Sequence, residues 1–238
     1  MQLHDNGNNN VIRFGEGDAP LVRGKFSITI NGSNNKIIFS TGLTIKKLII
    51  DINGNNNTIL IGKNCVLSCS ISAKSNQNKI NIGKFTTIGG ARIECEYGTE
   101  ITIGEDCMFS RDIVIRSGDS HSIIDLTTGE RINKAKSVII GKHVWMGYGV
   151  NIGKGAVIKQ NTIVGMGSYV NKEFTRGNVI LAGTPAKIVK ENVIWDRRSL
   201  GNDIPKSHID ALKSNYMFTS DWLEIIFHLE RCNIIIMA

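Results

Sequence analysis

An unbroken six-residue period constrains this chain more than any other feature. From Val138 to Val170 the sequence reads VIIGKHVWMGYGVNIGKGAVIKQNTIVGMGSYV, with Ile140, Met146, Ile152, Ile158, Val164 and Val170 recurring every six residues. Gly141, Gly147, Gly153 and Gly165 directly follow four of them. An amphipathic helix needs a period near 3.6 and a half-buried strand a period of 2, so neither produces this run. A repeat at fixed period points to a solenoid. The physical reading is a triangular prism in which each hexad makes one flat face, its aliphatic residue points inward, and the next residues turn the corner. Glycine suits the corners because it reaches dihedrals closed to bulkier residues. Three hexads close a coil, and coils stack at the usual interstrand spacing of about 4.8 Å.

Shorter traces of the period lie upstream, at Ile61 and Leu67, at Ile82 and Ile88, and at Ile103, Phe109 and Ile115. The N-terminal half adds NGNNN at 6–10, NGSNN at 31–35 and NGNNN at 53–57. Asparagine and glycine are the residues that most readily take the left-handed backbone of tight corners. The alternation in SITINGSNNKIIF and LIIDINGNNNTILIG argues against a disordered Asn-rich lead-in. The expectation is an all-β solenoid domain over 1–190, with less regular coils legible back to about residue 20. Between Ile115 and Val138 the period breaks into a polar, turn-rich segment, read as a loop over 116–137 thrown out from the stack. Loops of that length are functional or disordered. After Pro185 the repeat stops, and 191–238 reads as a C-terminal helical extension, with Trp222, Ile225, Ile226 and Leu229 at helical spacing behind a Ser220 cap.

With 41% hydrophobic residues, the 238-residue chain can build one sizeable core. No run approaches the 18 apolar residues of a membrane span, and MQLHDNGNNN lacks the basic-then-apolar order of a signal peptide. Five cysteines without a CxxC pair read as reduced thiols of a cytoplasmic protein. The net charge of +7 suggests an anionic partner. Nucleic acid is one candidate, but aromatics are only 6% and no recognition motif is present; a phosphorylated cofactor or an acidic polysaccharide explains the charge equally well, and charge alone does not decide between them.

Three segments in order, SGDSH at 117–121, the hexad run, and ILAGTPAKIVKE at 180–191, resemble the catalytic half of hexapeptide-repeat acetyltransferases. The likeness covers about residues 80–195 and is closer to bacterial sialic-acid and capsular-polysaccharide O-acetyltransferases than to galactoside or maltose enzymes. It implies a left-handed parallel β-helix with an extruded catalytic loop. It also implies acetyl-CoA as co-substrate, no metal, and a homotrimer with the cofactor between two chains. Histidine titrates near working pH and suits a general base that takes the acceptor hydroxyl proton. By resemblance that base is His121. Trp145, outward on its hexad beside the inward Met146, would line the mouth of the site, and the Tyr148 backbone amide would donate to the oxyanion. The CoA arm would run near Gly147, Met166 and Asn171, with Lys172, Lys187 and Lys190 near its phosphates. Lysine neutralises phosphate but lacks the bidentate fork of arginine.

Asp119 lies two residues from His121 and is a candidate to orient its ring, while His143, at a variable corner, reads as a surface residue. The asparagine that binds acceptor in galactoside-type enzymes would fall near Gly90, so a galactoside acceptor does not fit. Arg116 and Arg131, with Arg111, could meet an acidic sugar such as sialic acid. Alternatives remain open at this point. The core does not separate O- from N-acetylation of an amino sugar or antibiotic. A β-helix carbonic anhydrase would need three histidine ligands for zinc, where the repeat region holds only His121 and His143. A non-catalytic solenoid scaffold would have no use for His121, Trp145 and the lysines.

Overall fold

A computed structural model describes residues 1–214 apart from Asp18. The chain divides into a unit Met1–Trp195 and a unit beginning at Asp196. The first unit is a parallel β-solenoid built from three apolar ladders. One runs Leu3, Ile28, Ile50, Ile71, Ile93, Ile115, Ile152 and Val170. A second runs Ile12, Ile37, Ile59, Ile80, Ile101 and Val138. The third runs Ile45, Leu67, Ile88, Phe109, Met146, Val164 and Leu181. Nearly all of these side chains are fully buried, and each buried aliphatic contributes roughly 1.5–3 kcal/mol of transfer free energy. The coils therefore hold together through inward packing plus parallel backbone ladders on every face.

The coils begin at Gln2, whose strand Gln2–Asp5 already pairs in register with Ser27–Ile30, well before residue 20. Coil size explains the weaker upstream period. Ile152 and Val170 are 18 residues apart, three hexads, whereas Ile28, Ile50, Ile71, Ile93 and Ile115 follow at 21 or 22. The surplus residues form the NGNNN corners. There Asn35, Asn57 and Asn78 turn inward and stack, each backbone N–H donating at 2.9 Å to the Oδ1 of the asparagine one coil earlier, beginning at Asn10. The left-handed residues of these corners are Asn9, Asn34 and Asn56, with φ of 57°, 59° and 59°. Close approach explains other glycines: a Cβ on Gly104 would lie 2.5 Å from the Gly141 carbonyl carbon.

The far end of the solenoid is closed by an antiparallel pair, Val179–Gly183 with Ala186–Glu191, so AGTPAKIV is a hairpin that ends the stack. In the second unit residues 206–214 are helical. Asp196 pairs there with Arg198 at 2.7 Å and with His208 at 3.1 Å. The helix anticipated around Trp222, Ile225, Ile226 and Leu229, with its Ser220 cap, lies outside the described residues.

Candidate active site

The chain leaves the first face after Arg116 and rejoins the second at Val138, so the extruded loop interrupts one corner of the prism. The same corner on the next coil is Gly153–Ala156, and the loop is fastened to it: the Gly155 N–H donates to the Lys136 carbonyl at 3.4 Å, and Lys154 Nζ lies 2.5 Å from Asp119 Oδ2. Within the loop, Asn133 is the hub. Its Nδ2 donates to Asp119 Oδ2 at 2.9 Å and to the His121 carbonyl at 2.8 Å, while its Oδ1 accepts from the Ile123 N–H at 2.8 Å. Lys154, helped by Asn133, holds the Asp119 carboxyl below its ordinary range.

His121 follows an unusual turn. Its N–H donates to the Asp119 carbonyl at 2.7 Å, and the residue between them, Ser120, has φ of 62°. A two-residue hydrogen bond around a positive φ is the rarer, strained form of γ-turn. Buried Glu96 grips that turn: Oε2 accepts the Ser120 N–H at 3.0 Å and Oε1 the Ser120 hydroxyl at 2.7 Å. Arg116 donates to the Ser120 hydroxyl at 2.9 Å and lies 3.1 Å from Glu94, which also pairs with Lys74. The His121 side chain is exposed, and no hydrogen bond to its ring is formed among the described residues. Asp119 makes no hydrogen bond to that ring among the described residues; its Oδ2 is held instead by Lys154 and Asn133. Glu96, Asn133 and Lys154 carry no motif, so sequence reasoning passed over them. In the alternation of its strand Glu96 falls with Glu94 on the outward set, opposite the buried Ile93 and Cys95, so its burial could not be read from the pattern.

The expected residues divide between two corners. Asn171 and Lys172 share the corner of His121, one coil beyond Lys154, and Lys172 Nζ stands 5.3 Å from the Phe174 ring centroid. Arg131 is on the loop, its Nη2 donating to the His121 carbonyl at 3.3 Å and its guanidinium stacked 4.9 Å from the exposed Tyr97 ring. Arg116 is committed to the carboxylates under the loop. Gly147, Tyr148 and Met166 occupy the corner on the other side of the first face, where the Gly167 N–H donates to the Tyr148 carbonyl at 2.9 Å. Gly147 and Gly149 spend their N–H groups on Val164 and Arg111 carbonyls, at 2.8 and 3.0 Å, while the Tyr148 N–H donates to none of the described residues. Asp112 beside the Tyr148 hydroxyl raises its pKa. Trp145 points outward, 40% exposed, from the face leading into that corner, and Lys187 and Lys190 lie exposed on the closing hairpin. No hydrogen bond or ring contact joins Trp145 to His121 among the described residues.

His143 corrects the surface reading. It is buried at 4% exposure, with Nδ1 2.7 Å from Asp106 and Nε2 3.1 Å from the Trp195 carbonyl, and its ring stacks on Trp195 at 4.1 Å. The Trp195 indole N–H donates back to the His143 carbonyl at 2.9 Å. Its corner is stapled to the end of the solenoid unit, a partner far away in sequence. Among the described residues no three His, Cys, Asp or Glu side chains gather as a metal-holding group.

The described residues form a parallel β-solenoid of stacked coils, interrupted once by a histidine-bearing loop and closed by a hairpin, an architecture that matches left-handed β-helix acetyltransferases. No protein-family model matches the chain. It is similar to the polysialic acid O-acetyltransferase of Neisseria meningitidis, 37% identical over 197 residues covering 82% of this chain and 89% of the relative. A polysialic acid O-acetyltransferase of Escherichia coli O1:K1 is 38% identical over 137 residues, 58% of this chain, which spans 44% of that relative's length. The crystal structure of the polysialic-acid-specific acetyltransferase NeuO superposes with a TM-score of 0.77 at 33% identity, over 90% of this chain and 97% of that one. The chain belongs to the hexapeptide-repeat O-acetyltransferase family that contains these proteins.

Proposed function

We propose that this protein moves acetyl from acetyl-CoA to a hydroxyl of sialic acid in a polysialic acid chain, a bacterial surface polysaccharide. His121 is the general base and no covalent enzyme intermediate forms. The observation that carries this reading is the His121 ring, exposed and without a hydrogen-bond partner among the described residues, presented by a strained and tightly held turn. Strain of this kind accumulates at functional sites. The base takes the hydroxyl proton as the oxygen attacks the thioester carbonyl, and the resulting tetrahedral oxyanion meets the Tyr148 N–H, which has no acceptor among the described residues. The C–S bond then breaks, and the proton passes to the leaving CoA thiolate. Arg131, above Tyr97, is the group assigned to the acceptor's carboxylate.

The corner of Gly147, Gly149, Met166 and Gly167 fits the donor's arm. Nothing lies within 4 Å of where a Cβ would stand on Gly149 or Gly167, so an extended chain can run against the backbone there. Lys172, Lys187 and Lys190 supply cations for its phosphates. Because the base and this corner lie on opposite sides of one face, a site between neighbouring copies joins what one chain separates. That favours a homotrimer with three interfacial sites. The exposed Ile123, Ile124, Leu126 and Ile132 of the loop are apolar surface for such a neighbour. A donor kept inside the cell puts the reaction in the cytoplasm.

The test is turnover of acetyl-CoA, followed as thiol release, against oligosialic acid, neutral capsule fragments, galactosides and amino sugars. O-acetyl signals on oligosialic acid by NMR are expected. Exclusive acetylation of an amino group, or of a galactoside, would overturn the acceptor assignment.

A further inference from the structure

Glu96 has the geometry of a group with a task in the reaction, although it cannot reach a substrate. It ends the strand Thr87–Glu96, and its side chain is 2% exposed. Burying a carboxylate costs several kcal/mol unless hydrogen bonds and opposite charge compensate. Here the compensation comes from the loop that carries His121. Both carboxylate oxygens are spent on the single residue Ser120, on its backbone N–H and on its hydroxyl. Arg116 Nη2 at 3.6 Å and Lys74 Nζ at 3.8 Å supply the positive charge. The loop passes so close over the carboxylate that a Cβ on Gly118 would stand 2.6 Å from Oε2. Ser120 is the residue with φ of 62° at the centre of the γ-turn, and His121 is the next residue. A serine left to itself prefers the right-handed and extended regions. Two charge-assisted bonds to one rigid, buried anion can hold it out of them.

We propose that Glu96 is the positioning residue of the transfer reaction: through Ser120 it imposes the γ-turn that sets the direction in which the His121 ring leaves the loop. Its carboxylate sits on a solenoid strand rather than on the loop, so the base is referenced to the rigid scaffold. The inference rests on His121 acting as the base. A role confined to folding would lower stability but would leave the turnover of the folded protein intact.

Glu96→Gln keeps the size and one acceptor oxygen but loses the charge and one of the two bonds. It should lower kcat by about 30-fold or more, as expected of a misplaced base, with KM for acetyl-CoA unchanged within about twofold. Ser120→Ala, which removes only the hydroxyl arm, should lower kcat by a smaller factor. The double variant should turn over within about twofold of Glu96→Gln, because both changes act through one contact. Wild-type kcat in folded Glu96→Gln overturns the proposal, as does a double variant whose loss is the product of the single losses. Should Glu96→Gln fail to fold, Ser120→Ala decides alone, and full kcat in it overturns the proposal. A His121→Ala variant with wild-type turnover would sink the assignment of the base, and this inference with it. Collapse in His121→Ala beside full activity in Glu96→Gln would sink this inference only.

Discussion

Asn57 is the middle rung of the inward asparagine ladder, and Asn57→Ala should be among the costliest polar substitutions in the solenoid. Asn57 is fully buried. Its Oδ1 accepts from the Asn78 backbone N–H at 2.9 Å and from Asn78 Nδ2 at 3.0 Å, and its Nδ2 donates to Asn35 Oδ1 at 3.0 Å. Alanine strands the Asn78 N–H in the interior, which costs about 1–3 kcal/mol, and removes two further bonds of about 1 kcal/mol each. Asn35 keeps the Asn57 N–H as donor and Asn78 Nδ2 keeps the Ser75 carbonyl, so the net loss is about 3 kcal/mol. For a domain of this size that corresponds to roughly 6–12 °C in Tm. The control is Asn53→Ala on the outward ladder, where Asn53 accepts from Asn31 in solvent and the loss should be within about 0.5 kcal/mol. Thermal melts of the two variants by circular dichroism measure the difference. Melting points within about 2 °C of each other would refute the claim that the inward asparagines hold the coils together.

Gly104→Ala should destabilise by about 1–3 kcal/mol, because its Cβ would meet the Gly141 backbone and not a side chain that could move; a melting point equal to wild type would contradict the spacing of the coils. The buried Cys65 and Cys69 thiols are pushed up to about 11 and about 12 by burial, so neither they nor the buried Cys95 and Cys107 should react with iodoacetamide at pH 8 in the native protein. Peptide mapping that finds any of the four alkylated without denaturant would refute this. Lys154 lowers the pKa of Asp119, so that pair stabilises the loop above the unfolded carboxylate value of about 3.9 and the stabilisation is lost as pH falls through the lower folded value. Amide protection over 117–137 should therefore be steady above about pH 4 and drop below it. A drop centred near neutrality would contradict the pairing.

Legibility in the sequence followed the chemistry of each part. The hexads from Ile140 to Val170 could be read because every coil there has 18 residues and one inward aliphatic per face. The upstream coils blurred because their corners hold extra asparagines, one of each set turning inward as Asn35, Asn57 and Asn78 do, where polar residues are expected outside. His121 was singled out through the order of loop, hexads and hairpin. Its supports were invisible, since Glu96, Asn133 and Lys154 meet only after the chain has gone once around the prism or returned from the loop. His143 failed for the same reason. Whether a corner histidine is buried depended on Trp195, more than fifty residues on.

The central claim is that the His121 ring removes the acceptor's proton, and single-turnover kinetics on oligosialic acid test it most directly. With acetyl-CoA saturating, His121→Ala should lose about 10²–10⁴-fold in the transfer step, the usual contribution of a positioned general base, while CoA should raise the melting points of the variant and the wild type alike. A transfer rate within about threefold of wild type, in a variant that still binds CoA, would contradict it.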